Sequence, residues 1–304
     1  MKRRHFIKQS VLASGAIGFT AGFLPSIDLQ QKYSKHITIL HTNDVHSHIE
    51  AFSSNHRKYP NRGGVSRRYA LIEKIKKDNP HTLVLDAGDS FQGTPYFNFY
   101  GGELEFKLMS KMGYHASTIG NHEFDNGIDN ITAQLQHAKF DMLNANYDFS
   151  KTSLEGKTKP HQVYEVDGLK IGVFGLGIEL EGLVSKNLYK ETKYLDPLEI
   201  ATDQVNTLKK DLNCDLIICL SHLGYKYDSD KIDDLKLAET TSGIDLIIGG
   251  HTHTFLDKPT VVTNKSGKIT LVNQVGWAGL NLGRLDFYFS KSKSQTTKDV
   301  LIEV

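Results

Sequence analysis

The sequence predicts an α/β protein, a sheet-rich sandwich with helices outside, in one domain spanning about residues 36–304. Three observations carry this. Strand-like and helix-like runs alternate as far as about residue 250, as in an α/β domain. The tail, Pro259 to Phe289, has several strand-like stretches and little helix. Five strand-like runs are each followed at once by side chains that favour metals, and α/β sheets collect their ligands outside the carboxyl ends of their strands.

The elements follow in order. Residues 1–26 are unlike the rest. Lys2, Arg3, Arg4 and Lys8 carry four positive charges with no acid, and a small-residue apolar run, Val11 to Leu24, follows before Pro25. A spanning helix needs roughly 20 residues, so this shorter run reads as an export signal. The order Arg3-Arg4-His5-Phe6-Ile7-Lys8 looks like a twin-arginine signal. An uncleaved anchor is the alternative, because no A-x-A cleavage box stands out. Loss of the signal would take the net charge from +1 to −3. Residues 27–35 read as a polar linker.

The first strand-like run, Ile37 to Leu40, leads into Asp44-Val45-His46. A helix is expected from Gly64 to Lys77. Leu83-Val84-Leu85 leads into Gly88-Asp89, and Glu103 to Met112 reads as a helix ended by Gly113. Ala116 to Ile119 leads into Gly120-Asn121-His122-Glu123, and Gly127 to Ala138 is a third helix. Val163 to Val166 and Lys170 to Phe174 form a hairpin about the two-residue turn Asp167-Gly168. From Pro197 to Leu212, Ala201, Val205, Leu208 and Leu212 recur at helical spacing, with Pro197 suited to the first turn. Leu216 to Leu220 leads into Ser221-His222. Ile244 to Ile248 leads into Gly250-His251-Thr252-His253. In the tail, Lys268 to Val275 and Leu282 to Phe289 are the clearest strands.

Composition excludes some classes. A 39% hydrophobic content suits a substantial core and is too low for a multi-span membrane protein, and the near-balanced charge shows no footprint for a nucleic acid polymer. Cys214 and Cys219 flank one predicted strand. Five residues of strand span roughly 16 Å, beyond the roughly 7 Å a disulfide allows, so both read as small buried hydrophobes.

The five strand-end segments suit a dinuclear phosphoester site. Such a site needs two cations roughly 3.5–4 Å apart with a shared carboxylate. Imidazole and carboxylate donors suit Zn, Mn, Fe or Co. Asp44 and His46 can reach one ion from a strand end. Asp89 follows a glycine that lets the backbone turn its carboxylate inward. Asn121 offers a neutral oxygen, and His222, His251 and His253 each offer a ring nitrogen. Each signal has a plain reading when taken alone. Asp-x-His and Gly-Asp are common turns, and Ser221-His222 could be a satisfied histidine at a sheet edge. Gly-His-Thr-His is the strongest, since two histidines after Gly249-Gly250 rarely serve packing alone. His41 reads as structural, and His48 as close enough to touch substrate or solvent at the site. His36, His56, His81, His115, His137 and His161 read mostly as surface residues. Tyr96, Phe97, Phe99 and Tyr100 read as packing under the next helix, with substrate stacking as the alternative.

The segments 40–46 (Leu-His-Thr-Asn-Asp-Val-His), 86–94 (Asp-Ala-Gly-Asp-Ser-Phe-Gln-Gly-Thr) and 120–125 (Gly-Asn-His-Glu-Phe-Asp) carry a resemblance. Leu143-Asn144-Ala145-Asn146, Ser221 to Gly224 and Ile248 to His253 add to it. The chain resembles the calcineurin-like metallophosphoesterase superfamily, and within it the catalytic domain of the 5′-nucleotidase / UDP-sugar hydrolase family. The resemblance covers residues 37–285 in family order. It implies a four-layer α/β/β/α sandwich and two divalent metal ions, whether Zn, Mn, Fe, Co or Mg. It implies that Asp44, His46, Asp89 and His253 hold one ion, and that Asp89, Asn121, His222 and His251 hold the other. It makes His122 a group that approaches the phosphate or leaving oxygen, oriented by Asp125. A histidine hydrogen-bonded to a carboxylate suits that task.

The expected function is an exported phosphoester hydrolase, periplasmic or extracellular, acting on 5′-nucleotides. The same site would serve a cyclic-nucleotide phosphodiesterase or a UDP-sugar hydrolase. A non-catalytic metal- or nucleotide-binding subunit is the rival from another class, and the intact His122–Asp125 pair argues against it. Full-length relatives continue into a second domain that stacks the base, so either a separate chain supplies that domain as a partner or the substrate is a different phosphoester. Stable membrane insertion is not expected.

Overall fold

The computed structural model describes residues 34–290 and 295–304, so the expected export signal and most of the expected linker lie outside the described residues. In chain order the strands are β1 (Lys35–Thr42), β2 (Thr82–Asp86), β3 (Ala116–Thr118), β4 (Asp141–Leu143), β5 (Tyr147–Asp148), β6 (His161–Val166) and β7 (Leu169–Leu176). They continue as β8 (Lys193–Tyr194), β9 (Leu216–Ser221), β10 (Leu246–Gly249), β11 (Thr260–Thr263), β12 (Ile269–Asn273), β13 (Asn281–Phe289) and β14 (Gln295–Glu303).

Two six-stranded sheets form, ordered β14-β13-β1-β2-β3-β4 and β11-β12-β10-β9-β7-β6. β1 to β4 run parallel, and so do β7, β9, β10 and β12. Side chains alternate across each strand, and the apolar positions use both faces. Ile37, Ile39, Leu83, Leu85, Leu285 and Phe287 of the first sheet meet Ile171, Val173, Ile218, Leu220, Leu246 and Ile248 of the second. The opposite face of the first sheet, with Leu40 and Val84, packs on α1 (Val65–Asp78), α2 (Pro95–Tyr100), α3 (Glu103–Met112) and α4 (Ile128–Gln134). The opposite face of the second sheet packs on α6 (Pro197–Asn206) and α7 (Asp234–Thr240), while the one-turn α5 (Lys186–Tyr189) lies between β7 and β8. Helix, sheet, sheet and helix layers thus enclose three apolar zones, the four-layer sandwich expected.

The helices begin and end for local reasons. In α3, Gly113 adopts φ 75° and its N–H reaches back to the Met109 and Ser110 carbonyls, a left-handed stop. In α6, the Asp196 carboxylate accepts the Leu198 and Glu199 N–H groups, and Pro197 occupies the first turn. That helix was expected to run to Leu212. Instead the α-helix ends at Asn206 and residues Thr207–Asp211 widen into a π turn that sets Leu208 against Gly172 of β7. The Asp167-Gly168 turn has positive φ at both residues, as a tight hairpin requires. Both cysteines are buried and free.

Two expectations need correction. Phe97 is buried beneath the helices, but Phe99 is 83% exposed and Tyr100 52% exposed, because the six-residue α2 has an outer face that none of the described residues covers. Of the six histidines expected mostly at the surface, His81 is exposed while His36, His56, His115, His137 and His161 are half-buried, His115 because its Nδ1 accepts the Val84 N–H in the sheet layer.

Candidate metal centre

The parallel strands of both sheets point their carboxyl ends at one rim. β1, β2 and β3 deliver Asp44, Asp89 and Asn121, while β9 and β10 deliver His222, His251 and His253. The backbone there is strained to aim these groups inward. Of twelve non-glycine residues with positive φ among the described residues, five are Asp44, His46, Asp89, His251 and His253, and such strain concentrates at functional sites. Glycines make room: a Cβ on Gly120 would sit 2.2 Å from Asp89 Oδ1, and one on Gly88 2.8 Å from Gly120 N.

All seven expected donors come together, in two groups. In one, His46 Nε2 and His253 Nε2 face each other at 2.9 Å, with Asp44 Oδ1 3.4 Å from His253 Nε2 and 3.9 Å from His46 Nε2. In the other, Asp89 Oδ2 lies 3.0 Å from His222 Nε2 and His251 Nδ1 lies 2.8 Å from Asn121 Oδ1. Asp89 Oδ2 is also 3.9 Å from His46 Nε2, so its carboxylate faces both groups. Among the described residues, Asp44–His46–His253 and Asp89–His222–His251 are the two clusters able to hold a metal ion.

The donor chemistry fits divalent cations. His222 Nδ1–H donates to the Ala87 carbonyl at 2.6 Å, which leaves Nε2 as the lone-pair atom, the usual way a protein fixes the tautomer of a liganding histidine. That buried Nε2 has no aligned hydrogen-bond partner despite its nearness to Asp89. Burial alone would lower the His222 pKa. The charges of Asp89 and Asp44 outweigh burial and draw a proton on, pushing it up to about 10. A divalent ion would take the place of that proton. His251 goes the other way. Burial and the nearby His222 push it down to about 4, which keeps its ring neutral as a ligand must be.

At the mouth, His122 Nδ1 and Asp125 Oδ2 are 2.9 Å apart, and the two side chains are 34% and 32% exposed. Burial pulls the His122 pKa down, but the Asp125 hydrogen bond and the charges of Asp89 and Asp125 outweigh it, so the net direction is up. The His122 ring meets the His46 ring edge-on at 5.2 Å. This places a protonatable group beside the donors and open to solvent.

Glu123, a metal-favouring type in the same segment, is turned away from the donors. Its carboxylate accepts backbone N–H groups from Asp89, Gly120, Ser90 and Phe91. Three further supports were not read from the sequence. Asn43 Nδ2 donates to Asp44 Oδ2 at 2.6 Å, while its Oδ1 accepts the Val275 N–H. Trp277 stacks on His253 with centroids 5.9 Å apart and planes 7° from parallel. Ser117 and Thr42 both donate to Asp86, which precedes the Gly88-Asp89 turn. Asn43 and Asp86 lie inside the quoted segments, so their position was a usable signal. Trp277 offered none. His41 is fully buried with Nε2 2.9 Å from Asn273 Nδ2, a structural role as expected. His48 packs against Phe52 and Trp277, with Nδ1 3.0 Å from the His46 carbonyl.

Comparison with known proteins agrees with this architecture. The chain is 34% identical over 298 residues to the trifunctional nucleotide phosphoesterase YfkN of Bacillus subtilis, covering 87% of this chain and 19% of that protein. It is 32% identical to the snake venom 5′-nucleotidase of Gloydius brevicauda, over 92% of this chain and 49% of the relative. Its fold superposes on the crystal structure of a 5′-nucleotidase precursor from Thermus thermophilus with a TM-score of 0.81 and 35% identity, covering 89% of this chain and 55% of that one. The chain therefore spans about half the length of these two 5′-nucleotidase relatives. A family profile described as calcineurin-like phosphoesterase matches residues 37–255, and with this fold and this rim of histidines and carboxylates the chain belongs to that family.

Proposed function

We propose that residues 36–304 are the catalytic domain of an exported, dinuclear-metal phosphoester hydrolase whose substrates are 5′-nucleotides. One observation carries the reading: two histidine–aspartate groups share the Asp89 carboxylate, with His122–Asp125 at their open side. Asp44, His46, Asp89 and His253 would hold one ion, and Asp89, Asn121, His222 and His251 the other. Two bound cations would supply charge neutralisation at the phosphoryl oxygens and activation of water.

The chain's own residues do the rest. Asp125 holds the proton of His122 on Nδ1, or stabilises the ring when both nitrogens are protonated, so that Nε2 can face the substrate. A protonated His122 offsets the charge growing on the phosphoryl group and donates to the leaving oxygen. The nucleotide preference is supported by the similarity to the two 5′-nucleotidases and to the nucleotide phosphoesterase YfkN. Base recognition belongs, on this reading, to a further domain outside residues 36–304, since the relatives extend well beyond the matched region. The basic, apolar leader at residues 1–26 supports export. Among the described residues, no helix is long and apolar enough to cross a membrane.

The deciding experiment is hydrolysis of AMP and of an aryl phosphate by the purified chain reconstituted with Zn or Mn, alongside elemental analysis. Two ions per chain and metal-dependent release of phosphate are expected. One ion or fewer in active protein would sink the dinuclear assignment. Metal binding without turnover of either compound would favour the binding-subunit alternative.

A further inference from the structure

Glu123 sits in the metal-rich rim, is 1% exposed, and is directed at backbone. Its Oε2 accepts the Asp89 N–H at 2.9 Å and the Gly120 N–H at 2.7 Å. Its Oε1 accepts the Ser90 N–H at 2.7 Å, the Ser90 hydroxyl at 3.0 Å and the Phe91 N–H at 3.3 Å. A carboxylate has about four lone-pair sites, so five donors saturate it. The link is reciprocal. His122 N–H, beside Glu123 in the chain, donates back to Asp89 Oδ1 at 2.8 Å. Two loops that share no strand pairing at these residues, Gly88–Phe91 and Gly120–Glu123, are thereby joined through two carboxylates and five donors, while the Gly120 N–H closes the second loop on itself. Asp89 and Asn121 lie one on each side of the join.

We infer that Glu123 is a positioning residue: its buried carboxylate staples the Asp89 loop to the Asn121 turn and sets the spacing between those two donors. This rests on the dinuclear reading above. The physical warrant is directional. Backbone N–H groups cannot accept, so the staple needs a side chain that only accepts, and an ionised carboxylate is the one that does so at both oxygens. A glutamine would turn an NH₂ toward one pair of those donors. The two groups differ in their dependence on the staple. Asp89 and Asn121 lie on its two sides and are both fixed by it, whereas Asp44 and His46 meet only the Gly88–Phe91 side, the Asp44 N–H donating to the Gly88 carbonyl, the His46 N–H to the Asp89 carbonyl, and His46 Nδ1 lying 3.3 Å from the Phe91 carbonyl.

The test is cobalt and zinc titration of full-length wild type, Glu123→Gln and Glu123→Asp, read by visible absorption and by competition with a chelator. Wild type should bind two ions. Glu123→Gln should lose roughly 10- to 100-fold in affinity for one of them, the usual effect of removing a supporting partner, with loss of one component of the cobalt spectrum. Glu123→Asp, which keeps the charge on a shorter stem, should recover part of it. Should Glu123→Gln fail to fold, the aspartate variant alone must show the selective loss. Amide hydrogen exchange on metal-free wild type is independent of any variant: the Asp89, Ser90 and Gly120 N–H groups should already be protected. Unchanged affinity, an equal loss at both ions, or free exchange of those amides in the metal-free protein would overturn the inference. A wild type that binds fewer than two ions would instead strike the dinuclear reading beneath it.

Discussion

The two halves of the candidate centre are built from the same residue types and held in different ways. The Asp89–Asn121–His222–His251 half is interior. His222 is fully buried and tied to the Ala87 carbonyl, and Asp89 takes a backbone N–H from His122. The Asp44–His46–His253 half is peripheral at one ring: Asp44 and His46 are as buried as Asp89 and His222, and His251 is itself half-buried. Asp44 is buried and braced by Asn43 and by the His251 N–H, but the His253 side chain is 40% exposed and rests on the face of Trp277. Hydrogen bonds fix a ring's direction, whereas stacking fixes its plane and leaves more freedom within it. The difference teaches that the fold holds Asp44 and His46 by hydrogen bonds as it holds the interior half, while His253 relies on the ion and a neighbouring ring.

The largest effect should come from the one residue that belongs to both halves. Asp89→Asn removes the shared charge and should cost both ions, with turnover lost alongside them. Asp44→Asn should weaken mainly the peripheral ion. Elemental analysis after dialysis distinguishes these outcomes, and equal loss from the two variants would erase the distinction between the halves. His122→Asn comes next. It should leave both ions in place and lower turnover by roughly 10²- to 10⁴-fold, the range for acid–base groups. If metal departs together with the rate, His122 is a donor and the division into two groups is misdrawn.

The peripheral half should also empty first. Under a graded chelator challenge, one ion should leave before the other, and His253→Asn should remove the weaker phase while His222→Asn removes the tighter one. The reverse assignment would mean that solvent exposure does not govern which ion is held more loosely.

Much of this was legible because the candidate donors follow strands directly. Ile37 and Ile39 alternate with polar or oppositely directed neighbours, so β1 and its exit at Asp44 could be placed from pattern alone, and the same holds for β2, β9 and β10. The glycines at 88, 120 and 250 mark turns where a Cβ would meet donor loops. What stayed hidden depends on direction and on distant partners. Nothing in the sequence separates Glu123, which faces backbone, from Asp89, which faces the other donors. β14 was missed because its Gln-Thr-Thr-Lys-Asp start is polar. It forms by pairing antiparallel along the whole of β13, a tertiary effect with little local signature. The seven-residue α7 is short for a periodic signal, and its start rests on Asp233, whose side chain accepts the Lys236 N–H.

Trp277 offers the finest test of the comparison. It lies in none of the metal-favouring segments, yet its ring lies nearly parallel to His253 and meets His48 edge-on at 5.2 Å. Trp277→Leu keeps an apolar side chain but removes the flat face. If stacking holds the plane of His253, the peripheral ion should bind several-fold more weakly, at the lower end of the roughly 10- to 100-fold range for supporting residues. The interior ion should be unaffected, and the melting temperature of the metal-free protein should fall little, because Trp277 is only half-buried. The measurement is the same two-phase titration used for His253→Asn. An unchanged peripheral phase would show that Asp44 and His46 suffice to orient His253 through the ion itself. A loss spread evenly over both phases would place Trp277 in the general packing of the rim rather than behind one histidine.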